Sequence, residues 1–132
     1  MELCGHNTLS TFAREQGGTG RLPEDLCYKI FSQIVAGVEF MHQMNFAHRD
    51  LKMTNILIDS SLVVKIIDFG FACQAGKIQN MYCGTPSYMP PEIVQRSSYL
   101  SKPVDIWTLG CVLYKLVTGE YPFGGMFWYD FS

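Results

Sequence analysis

His48-Arg49-Asp50-Leu51-Lys52-Met53-Thr54-Asn55-Ile56-Leu57-Ile58-Asp59-Ser60-Ser61-Leu62-Val63-Val64-Lys65-Ile66-Ile67-Asp68-Phe69-Gly70 is the stretch that decides the fold. Two short runs, 55–58 and 62–67, are rich in Ile and Val and flank the polar turn Asp59-Ser60-Ser61. That pattern predicts strand, turn, strand. Asp50 and Asn55 border the first run and Asp68 closes the second, so a small hairpin would hold these three side chains close in space. Two carboxylates and an amide oxygen in one cleft suit a hard cation such as Mg2+, which prefers oxygen ligands and shares phosphate oxygens. The plain alternative is a buried hairpin with solvated acids.

Moving outward, Leu9, Phe12 and Ala13 share one face at helical spacing, which predicts a short helix over 8–14. Gly17-Gly18-Thr19-Gly20 reads as a flexible turn, because no strand precedes it as a phosphate-cradling glycine loop requires. Pro23 then opens a helix with Glu24 and Asp25 in its first turn, favourable for the helix dipole. Leu26, Ile30, Ile34, Val38 and Met41 repeat at helical spacing and carry it to about Gln43, with Phe31 and Val35 widening the stripe. Gly37 costs helix propensity and allows close packing. His42, near the C-terminus of this helix, reads as a capping or solvated side chain. Beyond the hairpin, residues 72–80 are polar and without period, which predicts a mobile loop. Residues 102–119 form the last strong helix, apolar around nearly its whole circumference and therefore buried on all sides.

Composition narrows the class. The 132 residues are 48% hydrophobic and 17% charged, enough for one domain with a core. A net charge of −2 gives no footprint for nucleic acid or for an anionic membrane surface. Five cysteines, at 4, 27, 73, 83 and 111, include no Cys-x-x-Cys. They imply reduced thiols rather than a disulfide framework or a zinc site. No signal peptide is visible at the start, and the longest apolar region, 104–117, contains Asp105 and Lys115 and is too short to span a bilayer. An intracellular, cytoplasmic protein is expected by default.

These residues also carry a family resemblance. His48-Arg49-Asp50-Leu51 with Asn55 resembles the catalytic loop of eukaryotic serine/threonine protein kinases, and Asp68-Phe69-Gly70 resembles their metal-binding triplet. Cys83-Gly84-Thr85 through Pro90-Pro91-Glu92 is similar to the close of their activation segment, with Pro90 where the family usually has Ala. Asp105-x-Trp107-x-x-Gly110 is similar to the central helix of their large lobe.

The resemblance implies a mainly α fold with a small β-hairpin, a kinase-like large lobe truncated at both ends. It covers residues 1 to about 123 of a partial kinase domain spanning 1–132, and the aromatic stretch 124–132 does not look like family sequence. The small-lobe glycine loop, strand Lys and helix Glu have no counterpart in these residues. Neither does the Arg that pairs with the residue matching Glu92.

The resemblance also assigns roles. Asp50 would accept or orient the substrate hydroxyl's proton, and Lys52 would neutralise the transferring phosphoryl group. Asn55 and Asp68 would hold Mg2+ against the phosphates of ATP. Thr85 would bond Asp50 and Lys52. Glu2 and Cys4 would offer hinge backbone groups to adenine, with Met1 at the gatekeeper position and Leu57 beneath the ring. His48 and Phe69 would stack in the spine between lobes, Arg49 would pair with an activation-segment phosphate, Gly70 would complete the triplet, and Asp105 would anchor the catalytic loop. The wording is most similar to the calcium/calmodulin- and AMP-activated-type branch.

Lys52 and the Gly84-Thr85 pattern imply serine/threonine rather than tyrosine targets, and the large Phe71 implies serine over threonine. Thr54 stands where basic-directed relatives often carry Glu, so selection for an upstream Arg does not follow. Met81 occupies the position of the phosphorylated Thr in many relatives. Residues 72–83 contain no Ser or Thr, so the loop is not expected to be switched by Ser/Thr phosphorylation; only Tyr82 could accept phosphate there. The competing reading is a catalytically incompetent truncated kinase fold that serves as a protein-binding module. Without the small lobe, the central helix is expected to leave one apolar side uncovered, beside Phe123, Phe127, Trp128 and Phe131, and to associate through it.

Overall fold

The computed structural model describes residues 6–123. Met1, Glu2 and Cys4, which the resemblance assigns to the hinge, and the aromatic stretch 124–132 lie outside the described residues. In chain order the elements are β1 (His6–Thr8), α1 (Leu9–Glu15), α2 (Glu24–Gln43), β2 (Phe46–Ala47), β3 (Ile56–Asp59), β4 (Val64–Ile66), β5 (Cys73–Gln74), β6 (Ile78–Gln79), α3 (Pro91–Val94), β7 (Tyr99–Leu100) and α4 (Ser101–Thr118). Short 3-10 turns at Met53–Asn55 and Pro86–Tyr88 flank the hairpin and α3.

Helix α2 follows its apolar period. Cys27, Ile30, Ile34 and Val38 are buried on one face, while Glu24 and Asp25 occupy the first turn. It packs against α4 and β4. A Cβ on Gly37 would come within 3.1 Å of Ile66 Cδ1, so the small residue lets the helix approach the hairpin. Gln33 fixes that approach: its Nε2 donates to Leu62 O at 2.8 Å, and its Oε1 accepts from Val64 N at 3.1 Å.

The hairpin forms with register Ile56↔Ile66 and Ile58↔Val64. Asp59 Oδ1 caps its turn by accepting from Ser61 N and Val63 N at 2.8 and 3.0 Å. The hairpin is not alone, however. β1 pairs antiparallel with β3, giving a three-stranded sheet in the order β1-β3-β4. The polar residues 72–80 are also not a free loop: β5 pairs with β2, and β6 pairs with β7. Two-residue strands offer no alternation to read, which is why the pattern did not reveal them.

Helix α4 buries Val104, Asp105, Leu109, Val112 and Leu116 against the core, but it is not buried all round. Ile106 and Val117 are 59% and 50% exposed. The helix ends at Gly119, whose φ of 81° is left-handed and whose N–H returns to Lys115 O. A Cβ there would lie 2.5 Å from Thr19 O, so the turn 17–20 can pack against the end of α4 only because residue 119 is a glycine. Leu22 N donates to Leu116 O at 2.8 Å, closing this corner.

Candidate active site

The loop between β2 and β3 carries the site, and Asp105 fixes its shape. Asp105 is fully buried in the first half of α4. Its Oδ2 accepts from His48 N and its Oδ1 from Arg49 N, both at 2.9 Å. A third donor is His42, whose Nε2 lies 2.8 Å from Oδ2. The sequence reading of His42 as a cap or solvated side chain is therefore corrected: it bonds a carboxylate 63 positions away, which no local pattern could show. Arg49 adopts a left-handed φ of 68°, and the two bonds from its amide and its neighbour's hold that conformation.

His48 is buried and fully satisfied. Its Nδ1 accepts from Asp50 N at 3.1 Å, so its Nε2 carries the hydrogen and donates to Ile67 O at 2.9 Å. The neutral imidazole thus ties the loop to the end of β4. Phe69 meets it edge-on, with ring centroids 5.2 Å apart.

Asp50, 7% exposed, points into a ring of polar groups. Thr85 Oγ1 donates to its Oδ1 at 2.9 Å, and Asn55 Nδ2 lies 3.4 Å from its Oδ2. Lys52 Nζ stands 3.9 Å from Oδ2 and donates to Thr85 Oγ1 at 2.9 Å. Four residues from two segments, the loop 48–55 and the stretch at Thr85, thereby converge. Asn55 Nδ2 also donates to Asp50 O at 2.9 Å, which commits the amide nitrogen to the loop and leaves the amide oxygen for a cation. Tyr88, another residue that sequence reasoning missed, accepts from Met53 N at 3.3 Å through its hydroxyl. Burial pushes that phenol's pKa well up.

Asp68 is exposed, with a left-handed φ of 61°. Its Oδ1 accepts from Gly70 N at 3.3 Å. Ile67 N donates to Asn55 O at 2.9 Å, so Asp68 and Asn55 lie at the same end of the hairpin. Among the described residues no cluster of three or more His, Cys, Asp or Glu could hold a metal. The donor set still fits Mg2+, which is bound through one or two protein oxygens completed by phosphate oxygens rather than by an all-protein cage. Leu57 is half-buried in β3 between Thr8 and Lys65. Glu92 is half-buried in α3, and among the described residues it has no ion-pair partner.

Comparison with known sequences places this geometry. The family model described as the protein kinase domain matches residues 1–127. A probable serine/threonine-protein kinase of Dictyostelium discoideum is 48% identical over 102 residues, covering 77% of this chain and 7% of that protein. The serine/threonine protein kinase OSK3 of Oryza sativa subsp. indica is 40% identical over 125 residues, 93% of this chain and 24% of its own length. The serine/threonine-protein kinase kin-29 of Caenorhabditis briggsae is 42% identical over 109 residues, 81% and 13% of the two chains. The chain thus spans no more than about a quarter of the length of these relatives.

Proposed function

This chain belongs to the protein kinase domain family, and from that premise we propose that it is the large-lobe part of a serine/threonine kinase that transfers the γ-phosphoryl group of ATP to a protein hydroxyl. The observation that carries this reading is the convergence of Asp50, Lys52, Asn55 and Thr85 around one carboxylate. Phosphoryl transfer asks a protein for positioning and charge neutralisation more than for covalent chemistry. Thr85 and Asn55 orient the Asp50 carboxylate, which takes the proton of the incoming serine or threonine hydroxyl. Lys52, held by Thr85, offsets charge on the phosphoryl group in transit. Asn55 and Asp68 are the oxygen ligands that would hold Mg2+, which when bound neutralises the phosphate oxygens of ATP.

Leu57 would form the floor for adenine, and the hinge contacts assigned to Glu2 and Cys4 lie outside the described residues. Arg49, Gly70, Glu92 and Asp105 shape the loop and the segment that follows it. Residues 1–132 form a partial kinase domain; the family match runs to residue 127, so of the aromatic stretch 124–132 only 128–132 lies beyond it. The substrate is a protein presenting Ser or Thr, and the branch closest in wording is the calcium/calmodulin- and AMP-activated type.

The test is acceptor chemistry. The full-length protein, given ATP and Mg2+ with a degenerate peptide library, is expected to yield phosphoserine above phosphothreonine. Phosphotyrosine alone, or no transfer, would overturn the reading. The alternative is a catalytically incompetent kinase fold that serves as a protein-binding module. Turnover of a serine peptide by the full-length protein, abolished in Asp50→Ala, would exclude it.

A further inference from the structure

Arg49 is buried to 6% exposure, yet none of its side-chain acceptors carries a charge. Nε donates to Phe71 O at 2.8 Å, Nη1 to Tyr99 Oη at 3.0 Å, and Nη2 approaches Met81 Sδ at 3.7 Å. Among the described residues Arg49 forms no ion pair. Residues 72–83 contain no Ser, Thr, Asp or Glu, so the segment offers the guanidinium no carboxylate and no Ser/Thr phosphate.

Tyr99 completes the arrangement. It is 6% exposed, and burial pushes its phenol up to about 12, so at neutral pH the hydroxyl keeps its hydrogen. That hydrogen goes to Met81 O at 2.7 Å. Oη therefore accepts from Arg49, and the Cys83 thiol, 3.7 Å away, is the donor in its contact with Tyr99. The backbone reinforces the tie: Gln79 pairs with Tyr99, and Ser98 Oγ donates to Asn80 Oδ1 at 2.7 Å. Tyr82, the one hydroxyl-bearing side chain of the segment, lies under the Arg96 guanidinium at 4.0 Å. Just beyond, Gly84 has a φ of 109°, and a Cβ on it would lie 3.3 Å from Arg49 O. The chain then reaches Thr85, which bonds Asp50.

We infer that Tyr99 is a positioning residue: with Arg49 it forms a latch of neutral acceptors around the guanidinium that holds residues 71–84 against the catalytic loop without a phosphate, and so delivers Thr85 to Asp50 and Lys52. The inference deepens the kinase reading and rests on it. The latch joins the start of the segment at Phe71, its middle at Met81 and its end at Cys83 through two side chains. The hydroxyl of Tyr99 is its central atom, since it both accepts from Arg49 and donates to the segment.

The test uses the full-length protein, confirmed free of phosphate by intact mass. Hydrogen exchange over residues 72–83 is expected to be slow in the wild type and at least tenfold faster in Tyr99→Phe. In the same variant kcat should fall about tenfold, with KM for ATP within about twofold of wild type. A carboxylate at position 81 supplies Arg49 with a charged acceptor, so Tyr99→Phe/Met81→Glu should recover kcat to within about threefold of wild type. Unprotected exchange in the unphosphorylated wild type would overturn the latch even if Tyr99→Phe does not fold. So would unchanged exchange and kcat in Tyr99→Phe, or a loss that Met81→Glu fails to restore. Protected exchange in a protein that transfers no phosphate would count against the kinase reading and leave the latch standing.

Discussion

Asp105 and Ile106 are neighbours on α4, and they meet opposite surroundings. Asp105 is fully buried and gives its two oxygens to three donors from α2 and the loop after β2. Ile106 is 59% exposed, and with Leu113 and Val117 it forms an apolar strip that the described residues do not cover. A groove of about 680 Å3, lined in part by Leu22, Tyr28, Phe31, Leu113 and Val117, runs along the same helix pair. The Asp105 network is complete because its three donors all come from within the 118 described positions. The outer face is built like a core layer with one side open. A buried hydrogen-bond network needs specific partners and is closed here; apolar surface needs only area, and more of it is on offer than these residues use.

The largest effect that would break this contrast belongs to Asp105→Ala. It leaves the buried amides of His48 and Arg49 without acceptors, each costing about 1–3 kcal/mol. Activity of the full-length protein is expected to fall at least a hundredfold together with a clear drop in melting temperature. Near-normal values would show that the loop holds its shape without the anchor. Next comes Thr85→Ala, which removes the bonds to Asp50 and Lys52 from a partly buried hydroxyl. Here kcat should fall about thirtyfold, about 2 kcal/mol at the transition state, while the melting temperature scarcely moves. A large stability loss with intact kcat would reverse the assignment.

The outer face is tested by Ile106→Lys/Val117→Lys in the isolated chain. Sedimentation should show less self-association than in the native sequence, and unchanged association would move the sticky surface elsewhere. The smallest effect concerns Cys111, a buried thiol on the inner side of α4, pushed by burial from 9.0 to about 11. Its folded-state value is raised, so its stabilising contribution is complete below pH 9 and is lost as pH rises toward 11. Cys111→Ala should flatten the stability curve in that window, and an identical slope would remove Cys111 as its cause.

Much of the inner face was legible in the sequence. The hairpin, α2 and α4 announce themselves by period, and Asp50, Asn55 and Asp68 flank the hairpin in plain view. What escaped was long-range. His42 finds Asp105 across 63 positions and Tyr99 finds Arg49 across 50, and neither distance leaves a local signal. The strand pairing of β1 and the two-residue strands of the 72–80 region were missed for the same reason, because backbone pairing at that length depends on what lies opposite. The all-round apolar pattern of α4 was read as burial on every side, whereas the pattern specifies only what the helix would bury given neighbours.

The measurement closest to the central claim is the rate of phosphate transfer from ATP to a serine peptide by the full-length protein and its Asp50→Asn variant, at saturating ATP and Mg2+. The amide keeps the size of the carboxylate and its bond from Thr85 but cannot take a proton. The account predicts a loss of about 10²–10⁴ in kcat with KM for ATP little changed. A variant that transfers phosphate at the wild-type rate would contradict it.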